Sequence, residues 1–223
     1  SHNLRTREVL KTSLRVFKER KRKLKTTILN EFIKKAMSYH TPPVVKGKNI
    51  TIKYALEEGF SFYKLTVKIK KELVAYKLPD NEYDLHKRGN HIDYNEFHQK
   101  IDDGAVVVDA RNYYENEIGH FKNAIISTVD RSEELLPNLL KLLEGHKEDT
   151  VLMYCTGGIR CEKASAYLIK HGFRNVHQLN GGIIKYANDI KEANVQSRFI
   201  GKNFVFDHRL GEKITDDIIS NCH

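Results

Sequence analysis

An α/β fold, a parallel sheet with helices on both faces preceded by a small α+β domain, is predicted by three observations. From Ile92 onward helical and strand patterns alternate, the order that builds a parallel sheet. The strands of that region are short apolar runs such as Val151-Leu152-Met153-Tyr154, which suit a buried sheet. Before Ile92 the pattern differs: two helical stretches come first, then strands in which Lys alternates with apolar residues.

Taken in order, Leu10, Leu14, Phe17, Leu24 and Ile28 recur at helical spacing around Lys18-Glu19-Arg20-Lys21-Arg22-Lys23, which makes a basic amphipathic helix. A second helix, roughly Asn30 to Tyr39, ends before Thr41-Pro42-Pro43 because proline cannot continue it. Strands Ile50 to Tyr54 and Tyr63 to Ile69 flank a turn at Glu58-Gly59 and complete a domain over residues 1–78. The polar, turn-rich residues 79–91 read as a linker. Residues 92–193 then hold a helix Tyr94 to Ile101, a strand Ala105 to Asp109, a helix Glu133 to Leu143 and a strand Val151 to Tyr154. A helix Cys161 to His171, closed by Gly172, a strand Val176 to Leu179 and a helix Ile183 to Asp189 follow. Residues 194–223 read as a tail.

Composition narrows the function classes. No apolar run approaches the ~20 residues of a membrane span, and no signal-peptide core is present, so a cytoplasmic protein is expected. Cys155, Cys161 and Cys222 are too few for a disulfide framework and are expected to stay reduced. Charge is uneven. Residues 1–48 carry 14 Lys and Arg against 3 Asp and Glu, so the basic excess of this net +9 chain is entirely N-terminal. Such a helix fits a polyanion, whose counterions it would release; a solvated helix face is the competing reading, and membrane-surface binding is weaker because the chain has no Trp.

The chemistry concentrates in Tyr154-Cys155-Thr156-Gly157-Gly158-Ile159-Arg160-Cys161. A cysteine at the end of a strand, a tight glycine loop and a following helix place backbone N–H groups and the positive end of the helix around one sulfur. With Arg160 near, Cys155 is expected to ionise near neutral pH and act as a nucleophile. Cysteine phosphatases use a longer loop that cups a tetrahedral phosphate; here four residues, Thr156 to Ile159, separate Cys from Arg, which disfavours phosphate hydrolysis.

Asp109 and Arg111 end a neighbouring strand. Substrate contact is open to them, but a structural role is the stronger reading, with the carboxylate accepting backbone N–H groups and the arginine paired with Glu115 or Glu117. Cys161 is either a resolving thiol or a small buried side chain. Asn112 and Tyr113 are placed at the pocket mouth, where Tyr113 could stack on a base. The eleven histidines form no pair at metal-ligand spacing, and no metal is expected.

The Cys-x-x-Gly-x-Arg loop resembles that of the rhodanese (sulfurtransferase) superfamily. So do Val106-Val107-Val108-Asp109-Ala110-Arg111 with Glu117-Ile118-Gly119-His120-Phe121, and Leu179-Asn180-Gly181-Gly182-Ile183. A rhodanese-like sheet over residues 92–193 is what this implies. A narrower likeness, carried by Cys155 through Ser165, Arg111-Asn112-Tyr113-Tyr114-Glu115 and Phe204-Val205-Phe206-Asp207-His208-Arg209-Leu210, is to the rhodanese-like tRNA uridine hydroxylases. That family joins a ferredoxin-like domain, a rhodanese domain and a cysteine-rich tail. Ser61 to Val74 is similar to the last strands of the first of these. The family's first strand has no clear counterpart before Thr27, and the chain stops at Cys222-His223, so a divergent or shortened N-terminal domain and a trimmed tail are expected.

The resemblance implies a tRNA partner, not DNA and not a membrane, with Arg20, Lys21, Arg22, Lys23 and Tyr113 as candidate RNA contacts. It implies oxygen-dependent 5-hydroxylation of the wobble uridine, with dioxygen as co-substrate and no other cofactor evident. Cys155 would add to C6 of uracil while Arg160 and the amides of Thr156, Gly157, Gly158 and Ile159 stabilise developing charge. Rhodanese domains at large imply the alternative, in which Cys155 takes sulfur from thiosulfate or a persulfide donor and carries it as a persulfide.

Overall fold

Apolar residues on both sides of each central strand force this sheet to be covered on both faces, and the helices supply the cover. The structure, a computed structural model, describes Val74, residues 76–206 and residues 209–220. The helices predicted around Leu10 to Ile28 and Asn30 to Tyr39, the strands Ile50 to Tyr54 and Tyr63 to Ile69, the Arg20-Lys21-Arg22-Lys23 cluster, and Cys222 lie outside the described residues.

The elements run β1 (Asn90–Ile92), α1 (Tyr94–Asp102), β2 (Val106–Asp109), α2 (Tyr113–Asn116), β3 (Gly119–Phe121), α3 (Ser132–Leu142), β4 (Thr150–Tyr154), α4 (Ile159–Lys170), β5 (Asn175–Leu179), α5 (Gly182–Glu192), β6 (Phe199–Phe204) and β7 (Gly211–Lys213). Strands β1, β5, β4 and β2 lie side by side in that order, every pair parallel. Strand β4 shows how period-two alternation feeds two cores. Val151 and Met153 pack with Leu135, Leu136 and Leu139 of α3 and Ala164 and Leu168 of α4. Leu152 and Tyr154 face the other way, among Phe97 of α1 and Ile183, Tyr186 and Ile190 of α5.

Local signals set the helix limits. The Asp93 carboxylate accepts the Glu96 N–H at 2.9 Å and starts α1. Gly172 at φ +95° ends α4, the left-handed capping residue its position predicted. Helix α4 begins at Ile159, two residues before the expected Cys161, because left-handed Gly158 is its N-cap.

A second, three-stranded antiparallel sheet, β3-β6-β7, had no counterpart in the sequence reading. It draws on the segment beyond residue 193, which is more than a tail. Phe199 is buried against Phe121 with ring centroids 5.5 Å apart, and the Arg198 guanidinium holds both Asp102 oxygens at 2.6 Å. At the other end Tyr76, which the sequence placed in the preceding domain, is 1% exposed in the core beside α4. Among the described residues no helix is long and apolar enough to cross a membrane.

Candidate active site

Cys155 follows the last residue of β4, where the chain leaves the sheet and turns into α4. The Gly158 N–H donates to its Sγ at 3.0 Å. Burial alone would push this thiol up. It is outweighed by the Cys161 thiol, the Arg160 charge and the backbone N–H groups of Cys161 and Gly157, which together lower it to about 5. The neighbouring Cys161 moves the opposite way: burial, the hydrogen bond to Cys155 and the Cys155 charge hold it protonated. Cys161 is therefore the buried donor to a thiolate, a more specific place than either reading of the sequence gave it.

The loop can aim its N–H groups inward because its carbonyls are held from behind. Helix α5 has unpaired N–H groups in its first turn, as every helix does. Here Ile183 N–H donates to the Cys155 carbonyl at 3.0 Å and Ile184 N–H to the Thr156 carbonyl at 3.1 Å. Close approach is needed, and Gly182, at φ +66°, permits it: a Cβ there would lie 2.3 Å from the Cys155 carbonyl oxygen and 2.6 Å from Gly158 N. Two helix N-termini thus fix one loop.

Arg160 is tied to Glu115, a fully buried carboxylate from α2. Its Nη1 donates to Oε1, its Nη2 to Oε2 at 2.8 Å and to Thr156 Oγ1 at 3.1 Å; the Thr156 hydroxyl in turn donates to Oε2 at 3.3 Å. Glu115 also accepts the Asn112 N–H at 3.2 Å, which locks α2 to the loop. The guanidinium contributes field at Cys155, but its charge is largely matched by the carboxylate.

That pairing corrects the expectation for Arg111. Its partner is neither Glu115 nor Glu117 but Asp109: Nε donates to Oδ1 at 2.9 Å and Nη2 to Oδ2 at 2.7 Å, with Gly119 O taking a further bond from Nη2 at 2.6 Å. Asp109 accepts the Arg111 N–H at 3.0 Å, as a structural carboxylate should. Both side chains are fully buried, and the guanidinium carbon lies 5.7 Å from the Tyr154 ring centroid and 5.8 Å from that of Phe199. Asp109 and Arg111 join β2 to the second sheet.

Cys155 is 1% exposed, yet it forms part of the floor of a cavity of about 450 Å³. Gly157, Ile159 and Arg160 come from the loop, Asn112, Tyr114, Ser132 and Val74 from the sides, and Phe206 from the segment after β6. Asn112 lines the cavity as expected; its companion is Tyr114 rather than exposed Tyr113. Sequence reasoning gave no site role to Tyr114, Ser132, Phe206 or Gly182, and it offered Glu115 as a partner for Arg111 rather than for Arg160. The Asn112-x-x-Glu115 spacing of a capping box was a usable signal for Glu115; Phe206 stood within the stretch Phe204 to Leu210 that carried the family resemblance, with no role attached to it. Among the described residues no three His, Cys, Asp or Glu side chains gather as a metal site.

Comparison with known proteins agrees with this architecture. Residues 93–189 match the family described as Rhodanese-like domain. Over 178 residues the chain is 50% identical to the tRNA uridine(34) hydroxylase of Leptospira interrogans, a match covering 79% of this chain and 48% of that protein. Proteins of the same name from Photorhabdus laumondii and Yersinia pseudotuberculosis (strain IP 31758) are 44% identical over 191 residues (85% of this chain, 54% of theirs) and 47% identical over 168 residues (75% and 47%). The chain spans about half the length of the curated relatives it matches. Residues 93–189, with their strand-end cysteine and glycine loop, form a rhodanese-like domain.

Proposed function

We propose that this protein hydroxylates C5 of the wobble uridine of tRNA, with Cys155 as the nucleophile. The observation that carries the reading is an activated thiolate on the floor of a cavity whose lining is nearly uncharged. Apart from the Cys155 thiolate itself, Arg160 is the one charged side chain among the described lining residues, and Glu115 neutralises it. Thiosulfate, a dianion, would find no uncompensated cation among them. A flat neutral base would find aromatic rings, apolar surface and a few amide and hydroxyl groups. The likeness to proteins named tRNA uridine(34) hydroxylase points to the same substrate.

In this scheme Cys155 Sγ bonds to C6 of uracil, and the electron pair of the C5–C6 bond moves to C5, delocalised onto O4. The loop amides favour the thiolate, which is what attacks. Carbon C5 then bonds to dioxygen, and a proton converts the product to a hydroperoxide. Two electrons and two protons from a thiol reductant cleave the O–O bond, leaving a C5 hydroxyl and water and oxidising the thiols to a disulfide. Loss of the C5 proton expels Cys155 and restores the ring. The base must be unstacked to reach a recessed sulfur, as an anticodon-loop base is. Arg20, Lys21, Arg22 and Lys23 would meet tRNA phosphates, and exposed Tyr113 would stack on a neighbouring base. Such a substrate places the enzyme in the cytoplasm.

The test is a nucleoside digest of tRNA from cells lacking the protein, complemented with the wild-type gene or with Cys155→Ser. 5-Hydroxyuridine derivatives should vanish, return with wild type and stay absent with the variant. Unchanged levels in the deletion would end the proposal. In parallel, a one-sulfur mass gain after thiosulfate treatment, lost in Cys155→Ser, would favour the transferase.

A further inference from the structure

Phe206 is 70% exposed, an unusual setting for a ring beside a catalytic cavity, and it lines that cavity with Cys155. It does not stand alone. The Phe204 ring meets Phe206 edge to face at 5.1 Å and meets Tyr114 at 5.3 Å, so three rings form a continuous series running from α2 to the segment after β6. Val205, between the two phenylalanines, is buried and pins that segment to the core. The aromatic wall is therefore fixed at its base and open at its face.

Tyr114 adds a polar handle. Its hydroxyl oxygen accepts from Asn112 Nδ2 at 3.2 Å, and among the described residues no acceptor takes the hydroxyl proton. Asn112 is itself buried and held through its backbone by Glu115. A half-buried hydroxyl with an undirected proton, in the same cavity as a thiolate, is placed to donate to a carbonyl oxygen of whatever the thiolate attacks.

Resting on the hydroxylase reading, we infer that Tyr114 and Phe206 are the residues that select and hold the target base, Phe206 by stacking on its face and Tyr114 by donating its hydroxyl proton to the uracil O4. Oxygen O4 is conjugated to C6 through C5, so a donor there stabilises the charge that thiolate addition sends onto it. Cytosine presents an amino group at the same position, and a donor facing a donor rejects it. The segment after β6 thus turns a general thiolate loop into a pocket for one pyrimidine.

The experiment uses the 223-residue chain and an anticodon stem-loop RNA carrying uridine or cytidine at the wobble position. Its readout is protection of Cys155 from iodoacetamide. Phe206→Ala removes an exposed ring and Tyr114→Phe a single hydroxyl, so neither should disturb folding, and the protection of each variant is scored against its own alkylation rate without RNA. Phe206→Ala should need about tenfold more uridine RNA for the same protection, within the range of base–aromatic stacking. Tyr114→Phe should lose the preference for uridine over cytidine. Wild-type protein left unprotected, or both variants protected with wild-type midpoints and preference, would overturn the inference. Formation of 5-hydroxyuridine in the same samples separates it from the underlying reading: protection with the expected variant pattern but no product supports base holding while removing the hydroxylase assignment. Product formed equally by wild type and both variants does the reverse.

Discussion

Glu115 binds Arg160 through both carboxylate oxygens, and Thr156 closes the ring by bonding each partner. The carboxylate is completely buried and the arginine side chain 13% exposed, so this is an ion pair shielded from screening by solvent.

Glu115→Gln should therefore be costly. Removing one partner of a buried pair leaves the other charge uncompensated, an effect of about 3–5 kcal/mol. Urea denaturation should show a lower midpoint at an unchanged slope. Protein that does fold should have a still more acidic Cys155, because the Arg160 field is no longer offset. A midpoint within experimental error of wild type would show that the pair contributes little.

The alkylation rate of Cys155 should be half-maximal near pH 5, since its thiol is lowered to about 5 from an ordinary value of 9.0. The same shift has a stability sign. In the unfolded chain the thiol stays protonated until the alkaline range while the folded thiolate does not, so its contribution is complete above the unfolded value and is lost as pH falls through about 5. The stability difference between wild type and Cys155→Ser should widen from pH 5 toward pH 9. A half-maximal rate above pH 8 would remove the basis for both thiolate chemistries.

Cys161→Ala deletes the thiol that donates to Cys155 while keeping a good helix former in α4. The pH profile of Cys155 alkylation should move to higher pH, with only modest destabilisation. An unmoved profile would assign the low value to Arg160 and the amides alone.

Gly182→Ala should disable the loop. The added carbon meets backbone 2.3 Å away, which cannot yield as a flexible side chain would, and the left-handed conformation adds about 1–2 kcal/mol. Gly145→Ala is the matched comparison, because Gly145 is also left-handed, at φ +96°, but has nothing within 4 Å. Gly145→Ala should show only the conformational cost and normal Cys155 alkylation, whereas Gly182→Ala should lose both stability and thiol reactivity.

The parallel sheet and the loop were legible because both are written locally. Val151 to Tyr154 is apolar on both faces, and strand, nest glycines and helix lie within one continuous stretch. The pairing of Arg111 was not legible, since Asp109 two residues away and Glu115 four away are equally available in one dimension, and only the fold sends Glu115 across to Arg160. Nor was the second sheet: Gly119-His120-Phe121 is too short to alternate, and it becomes a strand through pairing with residues some eighty positions later.

Tyr76 carries a last consequence. Its hydroxyl reaches the Arg160 carbonyl at 3.4 Å, its ring is buried beneath α4, and Val74 forms part of the wall above the sulfur. A fragment cut at Pro79, where the sequence reads as a linker, would keep every residue matched to the rhodanese-like domain and still lose Val74 from one side of the cavity. A fragment meant to enclose the Cys155 sulfur must therefore carry Val74 and Tyr76 as well as the matched residues 93–189.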